Sequence, residues 1–209
     1  AGTAVEVCRE FTEEPPVKNL ELRMVTDIGP VSLHLDSSLA PLAVARIAAL
    51  ADLREQIQWH LIGPLQGNKT RVVAESFDWV HSVDRLKIAQ RLSEQRPAHL
   101  PPLQLCLQVN ISGESSKSGL TIDELPEVAR AVAALPRVRL RGLMAIPAPA
   151  VDLAAQRAPH RRLRELLSQL QGSGLDVDTL SMGMTADLEA AIAEGATIVR
   201  VGTAIFGAR

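Results

Sequence analysis

The run Leu180-Ser181-Met182-Gly183-Met184-Thr185 has the composition of a strand that turns into a helix. Glycine allows close backbone approach, and the first turn of a helix offers N–H groups without intrahelical partners. Those groups and the helix dipole suit a phosphate, and Thr185 adds a hydroxyl donor. A second glycine–hydroxyl turn, Arg200-Val201-Gly202-Thr203, follows the next apolar run. Together the two turns have the makings of an anion cup. Gly183 and Gly202 serve equally well as ordinary turn glycines, and on the residues alone both readings stand.

Other polar residues are less telling. Arg200 interrupts Ile198-Val199-Arg200-Val201 and must face solvent, an anion or an acidic partner, because burying a lone charge is costly. Lys117 lies in the loop Ser115-Ser116-Lys117-Ser118-Gly119, where most lysines are merely solvated. His60, between Trp59 and Leu61, reads as a core histidine before an acid or base. His34, His81, His99 and His160 are too scattered for a metal site, and Cys8 and Cys106 lack partners at ligand spacing. Asn110, at a strand end, reads as a turn former before a ligand contact. Asp84, Glu114 and Asp187 read as helix-start or loop residues rather than catalytic carboxylates. No nucleophile elbow, P-loop or dinucleotide fingerprint is present.

Stepping along the chain, short aliphatic runs alternate with longer amphipathic stretches. Strands are expected at Gln56–Ile62, Phe77–Ser82, Leu103–Ile111, Leu140–Ile146, Val177–Ser181 and Thr197–Gly202. Helices are expected at Thr70–Ser76, Arg85–Gln95, Ile122–Ala134, Ala150–Gln171 and Ala186–Glu194. Asp84 is placed to cap the second helix, and Pro159 should kink or divide the fourth. Such alternation predicts parallel strands joined by helical crossovers, in a barrel or a doubly wound open sheet. In a barrel the polar strand C-termini share one face, which carries the site. The first segment differs. Glu21–Thr26 and Val31–Asp36 alternate as a hairpin around Asp27-Ile28-Gly29-Pro30. A closed barrel needs about eight strands, so this segment must supply what the six later strands do not.

Composition narrows the function. A formal net charge of -2 argues against a general nucleic-acid surface, and 2% aromatic content against base stacking. Two cysteines make no disulfide framework, no apolar run reaches membrane-spanning length, and residues 1–16 hold no apolar signal core. These features lead to the expectation of a cytoplasmic domain.

Taken in order, the motifs form a familiar series. Trp59-His60-Leu61-Ile62-Gly63-Pro64-Leu65-Gln66-Gly67-Asn68-Lys69 resembles a signature of the YggS/PROSC family of pyridoxal-phosphate homeostasis proteins. So do His81-Ser82-Val83-Asp84-Arg85, Gln108-Val109-Asn110-Ile111-Ser112, Ser116-Lys117-Ser118-Gly119 and Arg141-Gly142-Leu143-Met144-Ala145-Ile146-Pro147. Leu180-Ser181-Met182-Gly183-Met184 and Val199-Arg200-Val201-Gly202-Thr203-Ala204-Ile205-Phe206-Gly207 complete the series, which runs from about residue 46 to 209.

The resemblance implies a single (β/α)8 TIM-type barrel like the N-terminal domain of alanine racemase, with an atypical N-terminal segment. It implies that the cofactor pyridoxal 5′-phosphate is held by His60, Lys117, Met144, Ser181, Gly183, Met184, Thr185, Arg200, Gly202 and Thr203. Within that set the phosphate falls to Gly183-Met184-Thr185 and Gly202-Thr203, and Arg200 lies beside the pyridine ring. It further implies buffering and delivery of the cofactor without turnover, with pyridoxal-phosphate-dependent apoenzymes as partners, no nucleic acid, no membrane, and a monomer. A racemase- or decarboxylase-class enzyme is the catalytic alternative.

The departures are specific. The family's lysine motif on the first strand and the following "FGENY" motif are absent, and Lys18 stands in unrelated surroundings. Thr185 replaces the usual serine, and Asp187 matches the family's acidic position. A shifted reading frame over residues 1–45 would account for the missing lysine. The other account is an impaired member without a covalent anchor.

Overall fold

The computed structural model describes residues 58–114 and 117–201, with the backbone of two further strands. Those strands, β1 (Glu21–Thr26) and β2 (Gly29–His34), pair antiparallel as the alternation predicts. The connection is tighter than expected. Thr26 pairs with Gly29 and Val25 with Pro30, so β2 begins two residues before Val31.

The remaining strands form one parallel sheet in sequence order: β3 (His60–Leu61), β4 (Trp79–Val83), β5 (Leu103–Gln108), β6 (Val138–Met144) and β7 (Thr179–Ser181). Helices join them: α1 (Thr70–Ser76), α2 (Leu86–Gln95), α3 (Leu125–Ala133), α4 (Leu153–Gly172) and, after β7, α5 (Leu188–Ala193). A single bridge from Ser181 to Ile198 stands where a sixth strand was expected. This is the wall of the expected (β/α) barrel, with five parallel strands among the described residues rather than eight.

Strands end sooner than their aliphatic runs. After Gln108, for example, the Asn110 N–H donates to the Leu120 carbonyl rather than to the neighbouring strand. Pro159 neither divides nor ends α4. Proline withholds the N–H that would reach the Ala155 carbonyl, but Ala155 is exposed and water can serve it. Asp84 does not cap α2; its carboxylate accepts from Arg85 Nη1 instead.

The two faces of the sheet differ in chemistry. On one face Leu61, Val80, Leu105, Leu107, Leu143 and Leu180 belong to the main aliphatic core beneath the helices. Alternate residues belong to the other face, where Trp79, Cys106 and Met144 form a separate buried cluster. His60, His81 and Ser181 share their parity and are buried as well. Two glycine approaches hold this wall together. A Cβ on Gly142 would collide with the Thr179 backbone, so β6 and β7 can run this close only with glycine there. Gly119 has φ +133° and passes within 2.6 Å, from its Cβ position, of the Asn110 nitrogen.

Two arginines finish helix ends. Buried Arg96 donates Nη1 to the Ala74 and Phe77 carbonyls, both at 2.7 Å, where α1 runs out of partners. Arg137 donates Nε to the Ser93 carbonyl and Nη2 to that of Glu94 near the end of α2. Glu194, fully buried, is gripped by Arg157, Arg161 and Arg164 of α4 at 2.7, 3.0 and 3.0 Å.

Candidate functional site

Four buried polar side chains are joined in one chain across the inner face. His60 Nδ1 lies 2.8 Å from His81 Nε2, and His81 Nδ1 lies 2.8 Å from Ser181 Oγ. Arg200 Nη1 then donates to Ser181 Oγ and to the Ser181 carbonyl, both at 2.9 Å. Its Nη2 donates to the Ala145 carbonyl at 2.9 Å. The strands explain the meeting. His60 is the register partner of Trp79 across β3 and β4, and His81 follows two residues later on the same face. The His60 and Trp79 rings stack at 5.2 Å with 4° between planes. Arg141 lies over Trp79 at 4.9 Å and makes a two-pronged ion pair with Asp178.

Arg200 therefore does not face solvent. It is 1% exposed, and the acceptors just described are carbonyl and hydroxyl oxygens. A buried guanidinium thus stands at the end of β7, fixed in part by the Ser181 and Ala145 oxygens. The same setting pushes the nearby Cys106 thiol up to about 12. Burial is the main cause, only partly opposed by Arg141 and Arg200.

The turn after β7 is anchored at both ends. The Met182 N–H donates to the Ile198 carbonyl, and the Arg200 N–H donates to that of Gly183. Gly183 has φ +92°, and a Cβ there would stand 2.5 Å from the Ala191 Cβ. No other residue fits that conformation and space without strain. Met184 is part-exposed, with its sulfur 3.3 Å from Arg200 Nε. Its N–H donates to Asp187 Oδ1 at 2.6 Å, and Asp187 Oδ2 lies 2.9 Å from His160 Nε2. Burial raises the Asp187 carboxyl. The hydrogen bonds from His160 and the Met184 N–H outweigh that and hold it below the usual carboxylate range.

The structure brings His60, Ser181, Gly183, Met184 and Arg200 into one network, with Met144 ending β6 in the inner cluster and Thr185 half-buried in the turn. Lys117 is engaged elsewhere: Nζ pairs with Glu114 Oε1 at 2.9 Å. Asn110 is a loop former, as expected, donating Nδ2 to the carbonyls of Glu114 and Lys117. Gly202 and Thr203 lie outside the described residues, as do Lys18 and residues 35–57. No group of His, Cys, Asp or Glu among the described residues could hold a metal ion, and no described helix is long and apolar enough to cross a membrane. Sequence reasoning missed His81 as a link and Trp79 as the stacking floor; the parity shared by His60, Trp79 and His81 was the available signal.

Residues 26–209 match the alanine racemase N-terminal domain. The pyridoxal phosphate homeostasis protein of Pseudomonas aeruginosa is 66% identical over 167 residues, 80% of this chain and 70% of that one. This chain is a member of the pyridoxal phosphate homeostasis protein family. The Escherichia coli member is 58% identical over 153 residues, 73% of this chain and 65% of its own length, so the chain spans slightly less than two thirds of it. Among solved structures, PipY of Synechococcus elongatus without pyridoxal phosphate superposes with TM-score 0.73 at 38% identity, over 80% of this chain and 78% of PipY. PipY with pyridoxal phosphate bound gives TM-score 0.70, over 79% and 77%. Alanine racemase of Corynebacterium glutamicum, at 17% identity and TM-score 0.58 over 79% and 46%, shares the fold alone.

Proposed function

We propose that this family member binds pyridoxal 5′-phosphate at the C-terminal ends of β6 and β7 and serves its homeostasis, buffering and delivering it without turnover. The observation that carries this is the placement of Arg200. A buried guanidinium, fixed by Ser181 and Ala145, stands beside a glycine turn of positive φ. That donor set fits an anionic, hydrogen-bond-accepting aromatic group. The glycine also lets the turn pack directly against Ala191 of α5.

In this proposal Gly183, Met184 and Thr185 form the phosphate turn together with Gly202 and Thr203. Arg200 orients the ring nitrogen as a hydrogen-bond donor, and His60, Met144 and Ser181 line the inner face. Lys117 reaches the cofactor only by leaving Glu114. When bound, pyridoxal phosphate supplies an electrophilic carbonyl that amines can reach. The histidines are hydrogen-bonded to each other and to Ser181, an arrangement that fixes Arg200 and leaves them poorly placed as a free acid–base pair. The proposal extends to a single domain over 1–209, cytoplasmic and monomeric, that passes cofactor to apoenzymes. It also takes the segment before residue 46 to lack the family's first-strand lysine motif.

The test is a pyridoxal-phosphate titration, followed by borohydride trapping and peptide mass mapping. A trapped adduct on Lys18, Lys69 or Lys117 supports covalent carriage and names the anchor. Saturable binding without an adduct supports an anchorless carrier. A folded protein that does not bind refutes the proposal.

A further inference from the structure

We infer that His160 and Asp187 form a positioning pair that sets the geometry of the Gly183-Met184-Thr185 turn, an inference that rests on the cofactor reading above. The buried face of α4 is Leu163, Leu166, Leu167 and Leu170, continued one turn earlier by His160, which is 0% exposed. A leucine would suit that stripe, and a buried imidazole is costly unless hydrogen-bonded. His160 has one such bond, from Nε2 to Asp187 Oδ2, while its Nδ1 is buried with no hydrogen-bond partner. An ionised carboxylate only accepts, so Nε2 carries the proton.

Asp187 sits at the start of α5, yet its side chain caps no N–H of that helix. Its other oxygen reaches back three residues to the Met184 N–H, the backward half of a capping box. One oxygen is thus held by α4 while the other holds the residue after Gly183. Arg200 holds the same turn through its backbone N–H, which donates to the Gly183 carbonyl, and through Nε to the Met184 sulfur. The turn is held by the Asp187 carboxylate and by the backbone and side chain of Arg200. Because the Met184 N–H is engaged, contact with a phosphate falls to the other donors of the turn.

The experiment compares wild type, His160→Leu and His160→Gln. Pyridoxal phosphate and pyridoxal, which lacks the phosphate, are titrated separately, and hydrogen exchange is followed at the Met184 amide. His160→Leu completes the leucine stripe and should keep the thermal midpoint. It should speed Met184 exchange and weaken pyridoxal-phosphate binding about tenfold, the scale of one hydrogen bond to a charged group, while pyridoxal binding stays unchanged. His160→Gln offers an amide N–H to Asp187 and should restore most of both. Unchanged Met184 exchange and unchanged pyridoxal-phosphate binding in His160→Leu overturn the inference, as does an equal loss for both compounds. Wild type that binds neither compound overturns the cofactor reading instead. Faster Met184 exchange in His160→Leu would then still support the pair's hold on the turn.

Discussion

Replacing Arg200 with alanine should cost this protein about 3 kcal/mol of stability. Three guanidinium hydrogen bonds end on oxygen, at the Ser181 carbonyl, Ser181 Oγ and the Ala145 carbonyl, each at 2.9 Å. A net contribution of about 1 kcal/mol apiece gives that figure. Two opposing effects flank it. Removing the charge recovers its desolvation cost, and the vacated space takes a donor from the Ala145 carbonyl and leaves the Ser181 carbonyl with only the Ala145 N–H. With a urea slope of about 2 kcal/mol per molar, the unfolding midpoint should fall by about 1.5 M with no change in slope. The two tryptophans, Trp59 and Trp79, are both buried and report the transition by fluorescence. Circular dichroism should give the same curve if unfolding is two-state. Arg200→Lys keeps the charge but cannot span both carbonyls, and should fall between the two. A midpoint shift under about 0.5 M would refute the reasoning. It would mean that desolvation cancels the three bonds and that Arg200 is kept for the ligand alone.

Gly142→Ala should lower stability by about 1–3 kcal/mol, because its methyl meets the Thr179 backbone rather than a side chain that can turn away; urea unfolding measures it. Gly183→Ala should cost a similar amount, combining positive φ with the Ala191 methyl, and should weaken pyridoxal phosphate more than pyridoxal. Asp178 and Asp187 titrate below their ordinary 3.8, and Glu194 below 4.5. A carboxyl lowered on folding stabilises fully above its unfolded value, and that contribution is lost as pH falls through the folded one. The urea midpoint should therefore be flat near neutrality and drop below about pH 4, and Asp178→Asn should soften the drop. Cys106, with its thiol at about 12, should resist iodoacetamide in the folded protein and react after unfolding, as read by peptide mass mapping.

Much of the architecture was legible because local signals and packing agree. Thr70–Ser76 is a helix from end to end as expected, and the hairpin at Glu21–Thr26 follows from alternation. Strand ends were not legible: an aliphatic run such as Leu103–Ile111 continues past the point where its backbone leaves the ladder. Pro159 misled because proline's cost depends on whether the freed carbonyl reaches water, which a sequence does not display. In the site, Ser181, Gly183 and Arg200 were legible from their turn and motif. His81 was not, since its role depends on the register of β3 against β4. Asp187 was read as a helix-start residue, but its partners are 3 and 27 positions away, and the second is visible only once α4 and α5 are packed.

The clasp on Glu194 has an uneven tolerance to mutational drift. Arg157, Arg161 and Arg164 all reach the same carboxylate, and each remains substantially exposed, at 37%, 51% and 45%. Any one of them can change and leave two cations in place. The carboxylate has no such understudy. A substitution at Glu194 strands three positive charges along one side of α4 and frees α5, which follows the turn after β7. A change at any one arginine should therefore be tolerated better than a change at Glu194.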